Sequence, residues 1–202
     1  MTKDFDDALQ KDLGKGSFEN WLLEIGSVSR EVDHALNHLK EWMKEEFVDT
    51  PFVIGPASSY LVKEPLGVVA VLGSWNFPVS TTLGPLVSAI AAGNAVLIKP
   101  SEFSPHTSIV MKRLFARYLD SSAFQCLVGQ VEVAKKLTAS KVDLIIFTGS
   151  TEKGRLIAAA ASKNLVPCVL ELGGKCPAVV DSSADLEFTA AKIAHLGFLN
   201  SG

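Results

Sequence analysis

The run Val169-Leu170-Glu171-Leu172-Gly173-Gly174-Lys175 joins an apolar stretch to one carboxylate, two glycines and a lysine. Val166 to Leu170 reads as a buried strand, so Glu171 falls at the strand's carboxyl end, where open α/β sheets bind their ligands. Half-burial there disfavours a carboxylate's charged form and suits it to general-base work. Adjacent glycines let backbone approach a bound molecule closely, or turn sharply. The same residues also allow a plainer arrangement, with Glu171 paired to Lys175 ahead of an ordinary Gly-Gly turn.

Three other stretches carry polar residues that a core does not need. Gly149-Ser150-Thr151-Glu152-Lys153-Gly154 follows an apolar strand and begins a helix. Free N–H groups and the helix dipole there favour an anion such as a pyrophosphate. The G-x-G-x-x-G fingerprint occurs nowhere in the chain. Lys99 and Glu102 lie just past another apolar run, and a cation with a carboxylate can hold ribose hydroxyls. A surface turn capped by Ser101 or Ser104 is the alternative. Trp75-Asn76-Phe77-Pro78 sets an amide between two aromatics. Such an amide can donate to an oxyanion forming on a carbonyl carbon, a contact worth about 10²–10³ in rate; a turn before Pro78 is the plainer use.

These stretches need strands ending on one side of a molecule, and the hydrophobic pattern supplies them. Strands are expected at Gly67 to Gly73, Ala95 to Ile98, Phe124 to Val128, Asp143 to Thr148 and Val166 to Leu170. Helices are expected at Val79 to Ala92, Pro105 to Tyr118, Val131 to Ala139, Gly149 to about Lys163 and Leu186 to Leu199, with a short strand at Ala178 to Val180. The strands are continuous apolar runs, as in sheets covered on both faces. Such alternation predicts an α/β fold, a doubly wound parallel Rossmann-like sheet. Phe18 to Glu46 has helical spacing, with Ser17 as its cap and a Trp and Met stripe suited to core or subunit contact. Met1 to Gly16 shows no clear period, and Phe47 to Leu61 reads as loop. The expected units are an N-terminal helical segment (1–50), a dinucleotide-binding domain (51–172, with a loop-rich lead-in at 51–66), and the start of a further domain (173–202).

The 202 residues are 48% hydrophobic and 20% charged with a net charge of −3, enough for a real core. No basic stripe points to nucleic acid. Cys126, Cys168 and Cys176 are odd in number and form no C-x-x-C pair. That pattern suits reduced thiols in a cytoplasmic setting. No apolar run has the length of a membrane-spanning helix, and the acidic amino end lacks a signal core. His34 and His38, four apart on the first long helix, lack the ligand pattern of a metal site and read as surface histidines; no metal is expected.

The chain resembles the aldehyde dehydrogenases, most closely the class 3 or fatty-aldehyde type. The resemblance rests on Glu64 to Val69, Trp75 to Pro78, Ala92 to Ala95, Lys99 to Glu102, Phe147 to Thr151, Leu170 to Lys175 and Asn200 to Gly202, in the family's order and spacing. It implies NAD or NADP as cofactor, an aldehyde as substrate and homo-oligomers as the assembled form. It implies Asn76 as the oxyanion donor and Glu171 as the base that activates water. Lys99 and Glu102 would contact the adenosine ribose. Gly149, Ser150, Thr151 and Gly154 would form the pyrophosphate loop, with Phe147, Trp75 and Leu172 beside the cofactor. The family's cysteine nucleophile would follow Gly202 by three residues, which leads to the expectation of an amino-terminal fragment, inactive alone. Cys176, where the family usually has serine, is not expected to replace it. A non-catalytic dinucleotide-binding or subunit-association role, or a non-functional product that aggregates, is the alternative. Any C-terminal membrane anchor would fall outside these residues.

Overall fold

The computed structural model describes residues 1–201; Gly202, the last residue of one motif, lies outside them. The chain opens with helix α1 (Thr2–Leu13), in the stretch where no period was expected. Phe5, Ala8 and Leu9 are buried. They are three and four apart, so the helix does have an apolar stripe, but one only three residues wide among charges. Gly14 ends α1 in the left-handed conformation (φ 68°), its N–H bonded to the Gln10 carbonyl. That reversal turns the side chain of Lys15 into the protein. A second helical run then comprises α2 (Ser17–Glu19), a π-helical segment (Asn20–Ile25) and α3 (Gly26–Trp42). Gly16, not Ser17, occupies the cap position, because the Ser17 hydroxyl is drawn to Asp6 Oδ2 at 2.6 Å. The expected Trp and Met stripe is not core in this chain, since Trp21, Leu36 and Met43 are exposed. The fully buried side chains of the run are instead Asn20 and Glu24. The loop-rich stretch contains a small antiparallel pair, β1 (Glu46–Val48) and β2 (Ser59–Leu61), too short and exposed to show a strand pattern.

From there strands and helices alternate: β3 (Val68–Leu72), α4 (Ser80–Ala91), β4 (Ala95–Lys99), α5 (Pro105–Tyr118), β5 (Phe124–Cys126), α6 (Val131–Thr138), β6 (Leu144–Gly149), α7 (Thr151–Ala161), β7 (Cys168–Leu172) and α8 (Leu186–Phe198). The five strands β5-β4-β3-β6-β7 form one parallel sheet in that spatial order. The chain builds outward from β3 to β5, then crosses back to β6 and continues to β7. This is a doubly wound sheet with its switch point between β3 and β6. Alternate residues face opposite layers. Val69, Val71, Val96 and Ile98 meet α1, α4 and α5 residues in one apolar cluster. Ala70, Leu72, Ile145 and Phe147 meet residues of α6 and α7 in the other. Covering on both faces is why these strands read as continuous apolar runs.

Two expected elements differ. The last sheet strand runs to Leu172, so Glu171 lies inside it, opposite Thr148, and not beyond its end. As the sheet's edge strand it has a neighbour on one side only, and Glu171 is exposed where half-burial was expected. Ala178 to Val180 forms no strand; the segment is irregular and exposed. Helix α8 is apolar yet buries none of its residues.

Candidate functional site at the carboxyl edge of the sheet

Register fixes how the candidate residues line up. Lys99 of β4, Leu72 of β3 and Phe147 of β6 lie in one row across the sheet, with Leu170 of β7 opposite Phe147. Thr148 and Glu171 pair one step further, Gly149 and Leu172 two. At about 4.8 Å between strands, the row from Lys99 to Leu170 spans roughly 14 Å. The loops after β3, β4 and β6 leave from this same edge and flank the switch point. The structure therefore brings Trp75, Asn76, Lys99, Glu102, Phe147, Gly149 and Glu171 to one end of the sheet.

Each position has a local cause. Lys99 is buried, and its ammonium donates to the Pro100 carbonyl and to Glu102 Oε2. Burial pushes the Glu102 carboxyl up. The hydrogen bond from Lys99, a backbone bond and the Lys99 charge outweigh it and hold Glu102 below the ordinary carboxylate value. Ser104, offered as a cap, instead donates its hydroxyl to the Trp75 carbonyl (3.0 Å), tying the β4 loop to the β3 loop. Asp12 of α1 caps α5 in its place, accepting from the backbone N–H groups of His106 (3.2 Å) and Thr107 (2.8 Å) and from the Thr107 hydroxyl.

Ser150 is the N-cap of α7, its hydroxyl accepting from the Lys153 N–H at 3.3 Å. The other first-turn N–H groups of a helix have no partner within it, and here they face the sheet edge. Gly149 has a reason other than approach of an anion: a Cβ there would run into the ring of Phe147, which folds over it. Gly154 lets α7 pack on β7, since a Cβ would sit 2.7 Å from Leu172 Cδ2. Gly173 and Gly174 are surrounded by open space, and among the described residues no ion pair joins Glu171 to Lys175.

The Asn76 loop is held from a direction the sequence did not suggest. Lys15 Nζ donates to Glu24 Oε1 at 2.8 Å and to the Asn76 carbonyl at 3.1 Å, and lies 4.7 Å from the centre of the Phe77 ring. Glu24 Oε2 accepts the N–H groups of Val79 (3.1 Å) and Ser80 (2.9 Å), capping α4. Both charged side chains are 1% or less exposed. Asn200 also donates to the Asn76 carbonyl, at 3.1 Å. Among the described residues the side-chain amide of Asn76 makes no hydrogen bond. One signal was available: Asn20 and Glu24 are four apart, hence on one face of a helix, inside a run otherwise read as apolar-striped.

Cys126 ends β5 on the outer strand farthest from β7, Cys168 begins β7, and Cys176 lies past its end. Burial pushes the Cys126 thiol up to about 12 and raises that of Cys168. Cys176 is exposed. The His34 and His38 rings lie 4.2 Å apart at a tilt of 36°, with Trp42 beside both and stacked on His38. No helix among the described residues is long and apolar enough to cross a membrane.

Comparison with known proteins identifies the family. The sequence profile of the aldehyde dehydrogenase family matches residues 1–202. Aldehyde dehydrogenase family 3 member B2 of Mus musculus is 44% identical over 196 residues, 97% of this chain and 41% of that protein. The substrate-bound state of Staphylococcus aureus AldH superposes with a TM-score of 0.96 at 39% identity, over 99% of this chain and 44% of that one. Betaine aldehyde dehydrogenase from the same organism, in complex with NAD+, gives a TM-score of 0.81 at 27% identity over 96% of this chain and 39% of its own. The chain thus spans about two fifths of the relatives' length. A wound sheet lacking the dinucleotide glycine fingerprint, seven motifs in order and a profile match along the whole chain have one reading: the chain belongs to the aldehyde dehydrogenase family and resembles its class 3.

Proposed function

We propose that this chain is the dinucleotide-binding part of an enzyme that oxidises an aldehyde to a carboxylic acid with NAD+ or NADP+. The observation that carries the proposal is the convergence of four loops at the carboxyl edge of one parallel sheet, around its switch point. The residues present suit a dinucleotide. Glu102, kept ionised by Lys99, would accept from ribose hydroxyls. The first N–H groups of α7, from Ser150 and Thr151 onward, would donate to a pyrophosphate, with Gly149 and Gly154 keeping strand and helix close. Phe147, Trp75 and Leu172 would line the cleft. When bound, the nicotinamide would supply the hydride acceptor. Asn76, its amide free, would donate to the oxyanion formed when a thiolate attacks the aldehyde. Glu171, exposed on the edge strand, would take a proton from the water that hydrolyses the thioester.

None of the chain's own cysteines suits the nucleophile. Cys126 is held neutral on β5, at the far edge of the sheet from Glu171, and Cys176 lies in an irregular exposed segment. The chain by itself is expected to bind dinucleotide and to show no turnover. Calorimetry with NAD+ and NADP+ tests the first part, and absence of saturable heat with either refutes it. Aldehyde-dependent reduction of NAD+ tests the second, and turnover abolished by Cys176→Ser refutes that.

One observation favours association as a second role. Phe188, Leu196 and Phe198 of α8 and Val179 before it are all more than 60% exposed, and exposed large apolar side chains in such number are of the kind that seek a partner. Light scattering decides: a concentration-independent monomer removes this reading.

A further inference from the structure

The buried pair Lys15–Glu24 belongs to the N-terminal helical segment, yet all its outward contacts go to the turn that carries Asn76. Lys15 Nζ reaches the Asn76 carbonyl and lies near the Phe77 ring. Glu24 takes the N–H groups of Val79 and Ser80. The turn from Trp75 to Ser80 is therefore gripped at both ends by one ion pair. Stability alone does not explain the pair. A buried ion pair contributes little beyond a well-packed apolar replacement, because removing both charges from water costs about what their attraction returns. What it does specify is direction. With its carbonyl turned toward Lys15 and Asn200, Asn76 presents its side chain elsewhere, free of internal hydrogen bonds. The π-helical segment contributes, because it brings Asn20 and Glu24 inward together, with Asn20 Nδ2 bonded to the Lys15 carbonyl (3.3 Å) and to Asp6 Oδ1 (2.7 Å). Such segments occur preferentially at functional sites.

We infer that Lys15 and Glu24 are positioning residues: they set the orientation of Asn76, and so of the oxyanion donor, from outside the sheet. The inference rests on the role proposed above for Asn76 only for its consequence in catalysis; the orientation itself can be measured alone. The chain's size suits nitrogen-15 NMR. Three variants separate positioning from stability: Lys15→Met, Glu24→Gln, and the double replacement Lys15→Met with Glu24→Leu, which leaves no unpaired buried charge. In the folded double variant the Val79 and Ser80 amides exchange at least tenfold faster, and the Asn76 side-chain amide signals shift or broaden. The Thr151 to Gly154 amides stay where they were, and the thermal midpoint falls by no more than the few degrees that loss of the α4 cap costs. Unmoved Asn76, Val79 and Ser80 signals in a folded double variant overturn the inference. So does failure of all three variants to fold, which makes the pair a folding requirement with no separate positioning role. Asn76→Ala, assayed for aldehyde oxidation in the enzyme containing this sequence, tests the proposed role of Asn76 independently. Loss of the NMR effect with loss of activity in Asn76→Ala refutes only the positioning claim, and the converse result refutes only the oxyanion assignment.

Discussion

Gly73 closes β3 one residue before the turn that leads to Asn76, and its replacement by alanine is the most informative single change. Its backbone is not in a glycine-only conformation; space is the constraint. A Cβ there would overlap Thr82 Oγ1 far inside van der Waals contact and stand 3.0 Å from Thr82 Cβ. Thr82 is fully buried on the first turn and a half of α4 and cannot swing aside. Overpacking a fixed contact costs about 1–3 kcal/mol, and this overlap belongs at the upper end. At about 2–4 °C per kcal/mol for a domain of this size, the thermal midpoint should fall by roughly 6–12 °C. Relief of the clash provides the internal control. The Thr82 hydroxyl is buried without a hydrogen-bond partner, so Thr82→Ala alone should cost little. In the Gly73→Ala, Thr82→Ala double variant the overlap with Oγ1 disappears while the Cβ contact persists, so about half the loss should return. Differential scanning calorimetry on the four proteins gives the cycle, with an expected coupling of about 1–2 kcal/mol. A Gly73→Ala midpoint within about 2 °C of the parent, on the same scale, refutes the reasoning. Additive single effects refute it equally, because then Thr82 is not what Gly73 accommodates.

Asp12 is the other carboxylate by which the N-terminal segment holds a helix of the sheet; Asp12→Ala should cost about 2 kcal/mol, as loss of a buried cap does, and speed amide exchange at His106 and Thr107, with unchanged exchange there counting against it. The held-down Glu102 carboxyl sets a pH dependence: a depressed carboxylate contributes stability above its unfolded value of 4.5 and loses it as pH falls through the lower folded value. Acid titration should therefore weaken the chain below about pH 4.5, and Glu102→Gln should flatten that limb. A profile identical in the variant assigns the acid limb to other carboxylates. Thiol chemistry follows burial, so iodoacetamide at pH 8 should label exposed Cys176 first and Cys126, with its thiol pushed up to about 12, last. Mass spectrometry of the peptides reads the order, and early labelling of Cys126 contradicts the packing of β5.

What was legible in the sequence was whatever is fixed by local pattern. Strands covered on both faces show as unbroken apolar runs, and Pro105 and Gly93 mark helix limits directly, so α5 begins and α4 ends where the residues say. The site loops were legible for a related reason, since a parallel sheet sends every β-to-α turn to the same edge. The misreadings share a physical cause. Helix α1 buries three residues among charged ones, and β1 and β2 are three residues long, below the length at which a period declares itself. The extent of β7 was missed because Glu171 and Leu172 belong to an exposed edge, where strand pairing is decided by the neighbour Thr148 and Gly149, not by burial.

Lys15 and Glu24 were illegible for a deeper reason. A lysine in a Gly-Lys-Gly turn and a glutamate on a helix are the commonest of solvated residues, and the one local hint, Asn20 four residues before Glu24, does not say what either would be buried against. Their burial depends on a partner 61 residues away for Lys15 and 55 away for Glu24. Sequence order puts them in a helical prelude; space puts them under the turn that presents Asn76. The consequence is that the site cannot be assigned to the sheet alone. Its β3 loop is oriented by charges from the N-terminal segment, its β4 loop is reached by Asp12 from α1, and the two loops are joined by Ser104 to Trp75. Removing residues 1–16 would leave α5 without its cap and Glu24, which caps α4, without its cation, the case in which a buried charge becomes costly, about 3–5 kcal/mol. A chain beginning at Ser17 should therefore fail to give a folded sheet, and a cooperative melt from it would show that the wound sheet is independent of the segment that orients its site.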